Sequence, residues 1–171
     1  MKRFLTILLF LVTIMNSLAA QTVIGSFDAL KGQTRVRMII DYTEADIMGM
    51  TEDEFYGYQE DWAEDKQWVI NHYYECANKK LGERMMVSNY KNSKYTLHLV
   101  VHAIDMKGNH DCSLYLYEIS EDGKQTKLAE VPRIYGKGGK TGGEVGLIKD
   151  GAESVGKIIG ILLRKEVLGT K

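Results

Sequence analysis

The chain has 171 residues, 44% of them hydrophobic, and carries 22 Lys and Arg against 23 Asp and Glu, which gives a net charge of −1. This balance, without a basic stripe interleaved with aromatic residues, argues against nucleic acid as a partner, and the length is enough for one domain with its own core. Ten tyrosines, seventeen glycines and a single proline are typical of an ordered globular protein and exclude a low-complexity chain.

The first twenty residues have the pattern of a secretory signal peptide. A short basic start precedes the apolar run Phe4–Met15, which is shorter than the roughly twenty residues of a membrane-spanning helix, and a stretch of small residues follows. We expect cleavage after Ala19 or Ala20, which leaves one globular domain of residues 21–171. No cysteine near the cleavage point can accept a lipid. The sequence therefore predicts an exported protein, periplasmic or extracellular, without a lipid anchor and without a transmembrane segment in the mature chain.

The first half of the mature chain predicts a strand followed by a helix. Apolar and polar residues alternate over Gln33–Tyr42, which indicates a half-buried strand. Thr51 and Glu54 have the spacing of a capping box, so we expect a helix to begin there. An apolar stripe at helical spacing is clearest over Trp62–Leu81, and Gly82 is placed to end that helix.

The second half begins with four strand candidates joined by short, turn-rich connections. Their apolar residues recur with a period of two. The candidates are Arg84–Tyr90, Tyr95–Met106, Cys112–Ser120 and Lys124–Val131. Connections of hairpin length predict an antiparallel meander, and Pro132 is expected to end the last strand because proline cannot donate a ladder hydrogen bond.

A second helix is predicted from Glu144 to Arg164. Its small residues Ala152, Gly156 and Gly160 recur every four positions and form a flat ridge, which we expect to pack closely against the sheet. The order β-α-β-β-β-β-α predicts an α+β fold. It is a two-layer sandwich with a mostly antiparallel sheet and two helices on one face.

Charge and aromatic residues are unevenly distributed along the chain. The segment Glu44–Asp65 holds nine acids and no Lys or Arg, whereas Glu121–Lys171 holds ten bases and seven acids. The aromatic residues of Phe55–Tyr58 and the region after it are more numerous than one helix face can bury. The acidic segment is interpreted as a solvated helix face or as a surface for a partner, and some of these rings are expected to be exposed.

The segment Tyr95–Lys165 resembles the last half of small bacterial envelope domains. The resemblance lies in an apolar strand that ends in Asp, a Tyr-x-Tyr-x-Ile strand, a Gly-Lys turn and an Ala/Gly-rich helix. These elements fall on Leu97–Asp105, Tyr115–Ile119, Gly123–Lys124 and Gly151–Leu163. The domains are related to the curli-secretion lipoprotein and to the N-terminal domain of the Tol system's periplasmic propeller protein. The resemblance implies a non-enzymatic part of envelope assembly, although the lipid-anchoring cysteine of many members is absent.

The stretch from Ile134 to Thr141 superficially resembles a phosphate-binding loop. It ends in Gly-Lys-Thr, but Ile134 stands where such a loop needs glycine. We therefore interpret it as a flexible loop or a loop that contacts a partner. The residues expected to make such contacts are Tyr135, Lys137, Gly138, Gly139 and Lys140.

The two cysteines, Cys76 and Cys112, can form a disulfide in an exported protein, or they can be two buried free thiols. His72 lies one helical turn from Cys76, as an imidazole that activates a thiolate would. His98 and His102 share a strand face, but their separation of roughly 13 Å is too large for one metal ion. No catalytic, metal or cofactor-binding motif is complete, and no cofactor is predicted.

These observations favour a non-enzymatic protein of the bacterial cell envelope that binds or assembles with envelope proteins or with itself. Two alternatives stay open. A periplasmic domain could bind a small ligand on the sheet face opposite the helices. That face would be lined by Tyr115, Tyr117, His98 and His102. A secreted hydrolase would use His72 and Cys76 or the histidines of the predicted meander.

Overall fold

The computed structural model describes residues 21–140 and 142–169, and the predicted signal peptide lies outside them. The described chain is the predicted α+β sandwich, with long helices layered on one face of a mixed sheet. The strands are β1 (Ile24–Gly25), β2 (Arg35–Asp41), β3 (Asp46–Ile47), β4 (Met86–Ser88), β5 (Tyr95–Ile104), β6 (His110–Ile119) and β7 (Gln125–Gly136). The helices are α1 (Glu52–Tyr58), α2 (Trp62–Leu81) and α3 (Glu144–Glu166). None of these helices is both long and apolar enough to cross a membrane.

The sheet has the strand order β1-β7-β6-β5-β2-β4, with β3 paired to the end of β5. The predicted meander is confirmed for β5, β6 and β7, which pair antiparallel. The predicted hairpin between β4 and β5 is wrong, because both strands pair with β2, one on each side, and run parallel to it. Helices α1 and α2 carry the chain back to the end of the sheet where β2 begins, so the strands that follow run in the same direction as β2.

Pro132 does not end the last strand, contrary to expectation, because it lies in a bulge within β7. Val131 pairs with Leu114 and Ile134 with Cys112, so two β7 residues oppose the single residue Ser113. A bulge tolerates proline because the ladder is already interrupted there.

The helix ends that were predicted from residues adjacent in the chain are confirmed. The Thr51 side chain accepts a hydrogen bond from the Glu54 amide, and the Glu54 carboxylate accepts one from the Thr51 amide at 2.8 Å, which completes the capping box. Helix α2 runs from Trp62 to Leu81. Gly82 caps its end, and the φ of 68° at this position favours glycine. The break between α1 and α2 lets Phe55 and Trp62 pack edge to face at 4.9 Å in the core.

The small-residue ridge of α3 packs against α2, not against the sheet as expected. A Cβ atom on Gly156 would lie 2.5 Å from the carbonyl oxygen of Tyr73, and one on Gly160 would lie 2.5 Å from that of Ala77. The two helix backbones therefore approach so closely that only glycine fits at these positions.

Candidate binding surface: the open face of the sheet

The two faces of the sheet differ in what covers them. Alternate residues of β5 and β6, among them Leu97, Leu99, Leu114 and Leu116, are fully buried beneath α2 and α3. The intervening residues point away from the helices and are mostly half-exposed, and no helix of the described chain covers them. We call this surface the open face. It comprises Arg35, Arg37, Ile39, Asp41, Met86, Ser88, Thr96, His98, Val100, Ser113, Tyr115, Tyr117, Lys127 and Glu130.

Aromatic rings form the centre of the open face. The rings of Tyr115 and Tyr117 lie 6.2 Å apart, and the His98 imidazole lies 6.4 Å from the Tyr117 ring. The Lys127 ammonium lies 5.5 Å from the centre of the Tyr115 ring. The structure therefore brings together three of the four residues predicted to line this face. The fourth, His102, lies at a bulge in β5.

The two predicted histidines of this face bind different partners and do not converge. His98 Nε2 lies 3.0 Å from Asp41 Oδ2, and His102 Nε2 lies 2.8 Å from the Ser113 hydroxyl. Partial burial raises the pKa of Asp41, but hydrogen bonds from Thr43 and His98 outweigh it and leave the pKa below its ordinary value. The Asp41 carboxylate is thus already satisfied within the domain.

Two arginines on the open face have no carboxylate partner in the described part of the chain. Arg35 lies over the ring of Tyr90 at 5.7 Å, and Arg37 donates to the Asn89 side chain at 3.4 Å. Lys127, in contrast, forms an ion pair with Glu130 at 2.6 Å. The end of the face where β2 begins therefore carries positive charge that the domain does not compensate.

The hydroxyl group of Thr96 is buried and has no hydrogen-bond partner among the described residues. Thr96 is 4% exposed and pairs with Arg37 on one side and with Tyr117 on the other, and Tyr117 in turn pairs with Lys127. This cross-strand row places an unsatisfied hydroxyl between a guanidinium and a tyrosine. Such a group is costly to leave unpaired unless a ligand or water reaches it.

The β4 edge of the sheet is protected against pairing with another strand. The Asn78 side chain of α2 donates to the carbonyl oxygen of Val87 at 2.9 Å and accepts from its amide at 2.7 Å. At the other edge, the short β1 pairs with Ala129 and Glu130 of β7, and Pro132 follows shortly after. A covered edge strand is less open to pairing with a strand of another chain.

The glycine-rich loop predicted to contact a partner is anchored rather than flexible over 135–140. The Lys137 amide donates to the Ser154 hydroxyl at 3.0 Å, and the Gly138 amide donates to Asn109 Oδ1 at 2.9 Å. A Cβ atom on Gly138 would clash with the backbone of Lys107 and Gly108, so close backbone packing explains the glycine there. The side chains of Tyr135, Lys137 and Lys140 are exposed, and their contact with a partner stays a prediction.

Of the two alternatives left open for the cysteines, a disulfide or two buried free thiols, the structure has Cys76 and Cys112 free. Cys112 is fully buried in the core between the sheet and the helices, whereas Cys76 lies at the seam where α2 meets Gly156 of α3. Cys76 is half-buried, so only Cys112 has the burial that the alternative of two buried free thiols expects. Burial, followed by the nearby Glu153 carboxylate, raises the pKa of the Cys76 thiol.

His72 is turned toward acids and not toward a thiolate. Its Nδ1 lies 3.5 Å from a Glu153 oxygen, and its ring packs edge to face on Trp68 at 4.9 Å. A catalytic thiolate needs a lowered pKa, whereas the pKa of Cys76 is raised. The geometry gives no support to a His72–Cys76 dyad.

A buried chain of hydrogen-bonded side chains in the core was not predicted from the sequence. Tyr42 and Tyr73 hydroxyls lie 3.3 Å apart, and the Tyr73 hydroxyl lies 2.5 Å from His110 Nδ1. The other ring nitrogen of His110 faces the backbone of Ile148 without a well-formed hydrogen bond. Burial lowers the pKa of His110 to about 3. The signal was the alternation of β6, which puts His110 on the same face as Cys112, Leu114 and Leu116.

Two depressions lie away from the open face. One of about 270 Å³ is lined by residues of 43–54, and one of about 530 Å³ lies between Gln59, Asp65 and the start of α3. Neither contains the residues expected to line a ligand pocket.

The chain matches no known family model, and no curated protein matches its sequence. Among solved structures it is similar to a PelC dodecamer from Paraburkholderia phytofirmans, at 12% sequence identity and a TM-score of 0.41. That match covers 82% of this chain and 96% of the other. A similarity at this level carries no functional information about the open face.

Proposed function

We propose that this chain is a non-enzymatic, exported module of the bacterial cell envelope that binds another protein through the open face of its sheet. The observation that carries the proposal is the contrast between the protected β4 edge and an uncovered face. Asn78 closes one edge, whereas the face presents packed tyrosine rings and two arginines without carboxylate partners in the described chain. Aromatic residues and arginine are the side chains that most often dominate binding energy at protein interfaces.

Binding rather than catalysis is supported by the state of the reactive side chains. The Cys76 thiol has a raised pKa, Cys112 is buried, and His98 and His102 are bonded to different neighbours. A hydrolase needs a nucleophile, a base and an orienting group in mutual contact. These side chains do not form such an arrangement.

Export to the envelope is supported by the signal-peptide pattern of residues 1–20 and by the resemblance of Tyr95–Lys165 to envelope domains. Fractionation of bacteria that express the full chain tests this part. We expect the mature protein outside the cytoplasm with an N-terminus at Ala20 or Gln21. An unprocessed chain in the cytosol would contradict it.

Photo-cross-linking in living cells tests the binding surface. A photoreactive amino acid is placed at Tyr115 on the open face and, as a matched control, at Glu75 on the exposed side of α2. We expect a discrete adduct from position 115, identified by mass spectrometry as an envelope protein or a second copy, and none from position 75. Equal adducts from both positions, or none from position 115, would contradict the proposal.

A further inference from the structure

We propose that the partner of the open face is the acidic surface of a second copy of this chain, so that copies associate head to tail. This inference rests on the proposed function and names its partner. It follows from two surfaces of opposite charge at opposite ends of the domain, neither of which is neutralised within the described residues.

The acidic surface consists of Asp53, Tyr56, Glu60, Asp61 and Glu64. All five residues are exposed, and the four acids form no ion pair within the described residues. The one lysine that pairs in this region, Lys66, bonds to Glu52 instead. The Tyr56 ring is 38% exposed among these acids, so the surface offers both negative charge and an aromatic contact.

The complementary surface is the part of the open face around Arg35 and Arg37. Neither arginine has a carboxylate partner in the described chain, and the Met86 side chain, 47% exposed, lies on the strand position paired with Arg35. The buried Thr96 hydroxyl lies next to Arg37 in the cross-strand row and lacks a partner there. Guanidinium groups beside an exposed apolar side chain suit a carboxylate-bearing surface with an exposed ring.

The two surfaces lie at opposite ends of the molecule. The arginines are at the start of β2, and the chain enters the acidic surface after the end of β2, through β3 at the far end of β5. The seven residues of β2 span roughly 20 Å. One copy therefore cannot pair its own surfaces, whereas two copies can. Because the contacting surfaces differ, the interface is heterologous, and it generates a ring or a filament rather than an isolated symmetric dimer.

Charge reversal on purified full-length chain tests the inference. The basic-surface variant carries Arg35→Glu and Arg37→Glu, and the acidic-surface variant carries Asp53→Lys, Glu60→Lys and Glu64→Lys, which makes that surface net positive. The control carries Lys124→Glu and Lys165→Glu, two exposed lysines that belong to neither surface. Circular dichroism and thermal unfolding confirm that each variant folds. Analytical ultracentrifugation in about 50 mM and about 1 M salt then measures association, because about 1 M salt screens charges within about 3 Å.

We expect the wild type and the control to form higher oligomers at low salt and to dissociate at high salt. Each charge-reversed interface variant should associate at least about tenfold more weakly, because like charges then face each other. A one-to-one mixture of the two variants should restore association. In that mixture every contact between unlike variants joins surfaces of opposite charge, so alternating copies assemble, whereas each variant alone does not.

Three results would overturn the inference. They are a wild type that stays monomeric at low salt, association that survives the arginine reversals, and a mixture that stays monomeric although both variants fold. If the wild type is monomeric but position 115 still cross-links to a different envelope protein, head-to-tail association fails and the proposed function stands. If position 115 cross-links to nothing, the proposed function fails as well.

Discussion

The helix-covered face and the open face are built from the same strands, yet they satisfy their side chains in opposite ways. Beneath α2 and α3, Leu97, Leu114 and Leu116 are fully buried, and the polar groups of Tyr73 and His110 bond to each other. On the open face, Tyr117 is half-exposed and the Thr96 hydroxyl is unpaired among the described residues. The covered face is closed by the helices, although His110 Nε2 also lacks a hydrogen-bond partner among the described residues. The open face leaves aromatic rings and two arginines accessible to a partner, which is why we assign binding to it.

The largest expected effect concerns the covered face and its pH dependence. The pKa of His110 is about 3 in the folded chain and about 6.5 when unfolded, so the unfolded state binds a proton first as pH falls. The stability that the folded state gains by keeping His110 neutral is complete above pH 6.5 and is lost between pH 6.5 and about 3. We expect a loss of about 4 kcal/mol in the free energy of unfolding over this range.

His110→Gln isolates this contribution, because glutamine does not titrate. Chemical denaturation of wild type and variant between about pH 4 and pH 6.5 should show that the variant lacks a slope of about 1.4 kcal/mol per pH unit. Equal slopes in both proteins would show that His110 is not buried in its neutral form.

Neighbouring residues of β6 provide the next sharpest comparison. Leu116→Ala removes a side chain that is 0% exposed and should lower the free energy of unfolding by about 2 to 5 kcal/mol. Tyr117→Ala, on the open face, should cost only about 1 kcal/mol because it loses ring contacts but creates no cavity. Urea unfolding measures both. Similar losses in the free energy of unfolding for the two variants would mean that the two faces are equally buried, and would contradict the difference between the faces.

The close approach of α2 and α3 on the covered face predicts that the substitution Gly156→Ala destabilises the protein. The new Cβ atom would lie 2.5 Å from the Tyr73 carbonyl oxygen, so the helices must separate, at a cost of about 1 to 3 kcal/mol. Gly146→Ala is the matched control, since nothing lies within 4 Å of that Cβ position and alanine favours the helix. Thermal unfolding should rank the control at or above wild type and Gly156→Ala below it.

The smallest expected change in stability is at the β4 edge. Asn78→Ala removes both hydrogen bonds to Val87 and should cost about 1 to 2 kcal/mol, while Asn71→Ala on the exposed side of α2 should cost almost nothing. The unprotected edge should also increase salt-insensitive self-association. Light scattering at high salt distinguishes this edge-to-edge self-association from charge-driven assembly. An Asn78→Ala variant as stable as wild type would show that the edge needs no such protection.

Local signals in the sequence predicted local structure well. The capping box at Thr51 and Glu54 and the stop at Gly82 are formed by residues adjacent in the chain, so the ends of the helices could be predicted. The pairing of β2 between β4 and β5 depends on distant residues, and the period-two pattern is the same for parallel and antiparallel neighbours. The hairpin prediction failed for that reason.

The candidate site was predicted in composition but not in arrangement. Tyr115, Tyr117 and His98 were placed on the uncovered face by alternation alone, and the structure brings them together. The unpaired state of Arg37 and Thr96 could not be predicted, because it depends on which strands flank β2 and β5. The glycine ridge of α3 was assigned to the sheet because spacing shows that a helix packs closely but does not show against what.

The most direct test of the open face is the cross-linking yield from position 115, measured in living cells with and without Tyr117→Ala. Removing the neighbouring ring should reduce the adduct to the level seen from position 75, while urea unfolding shows that the domain stays folded. An undiminished adduct from position 115 in the Tyr117→Ala background would contradict the assignment of binding to this face.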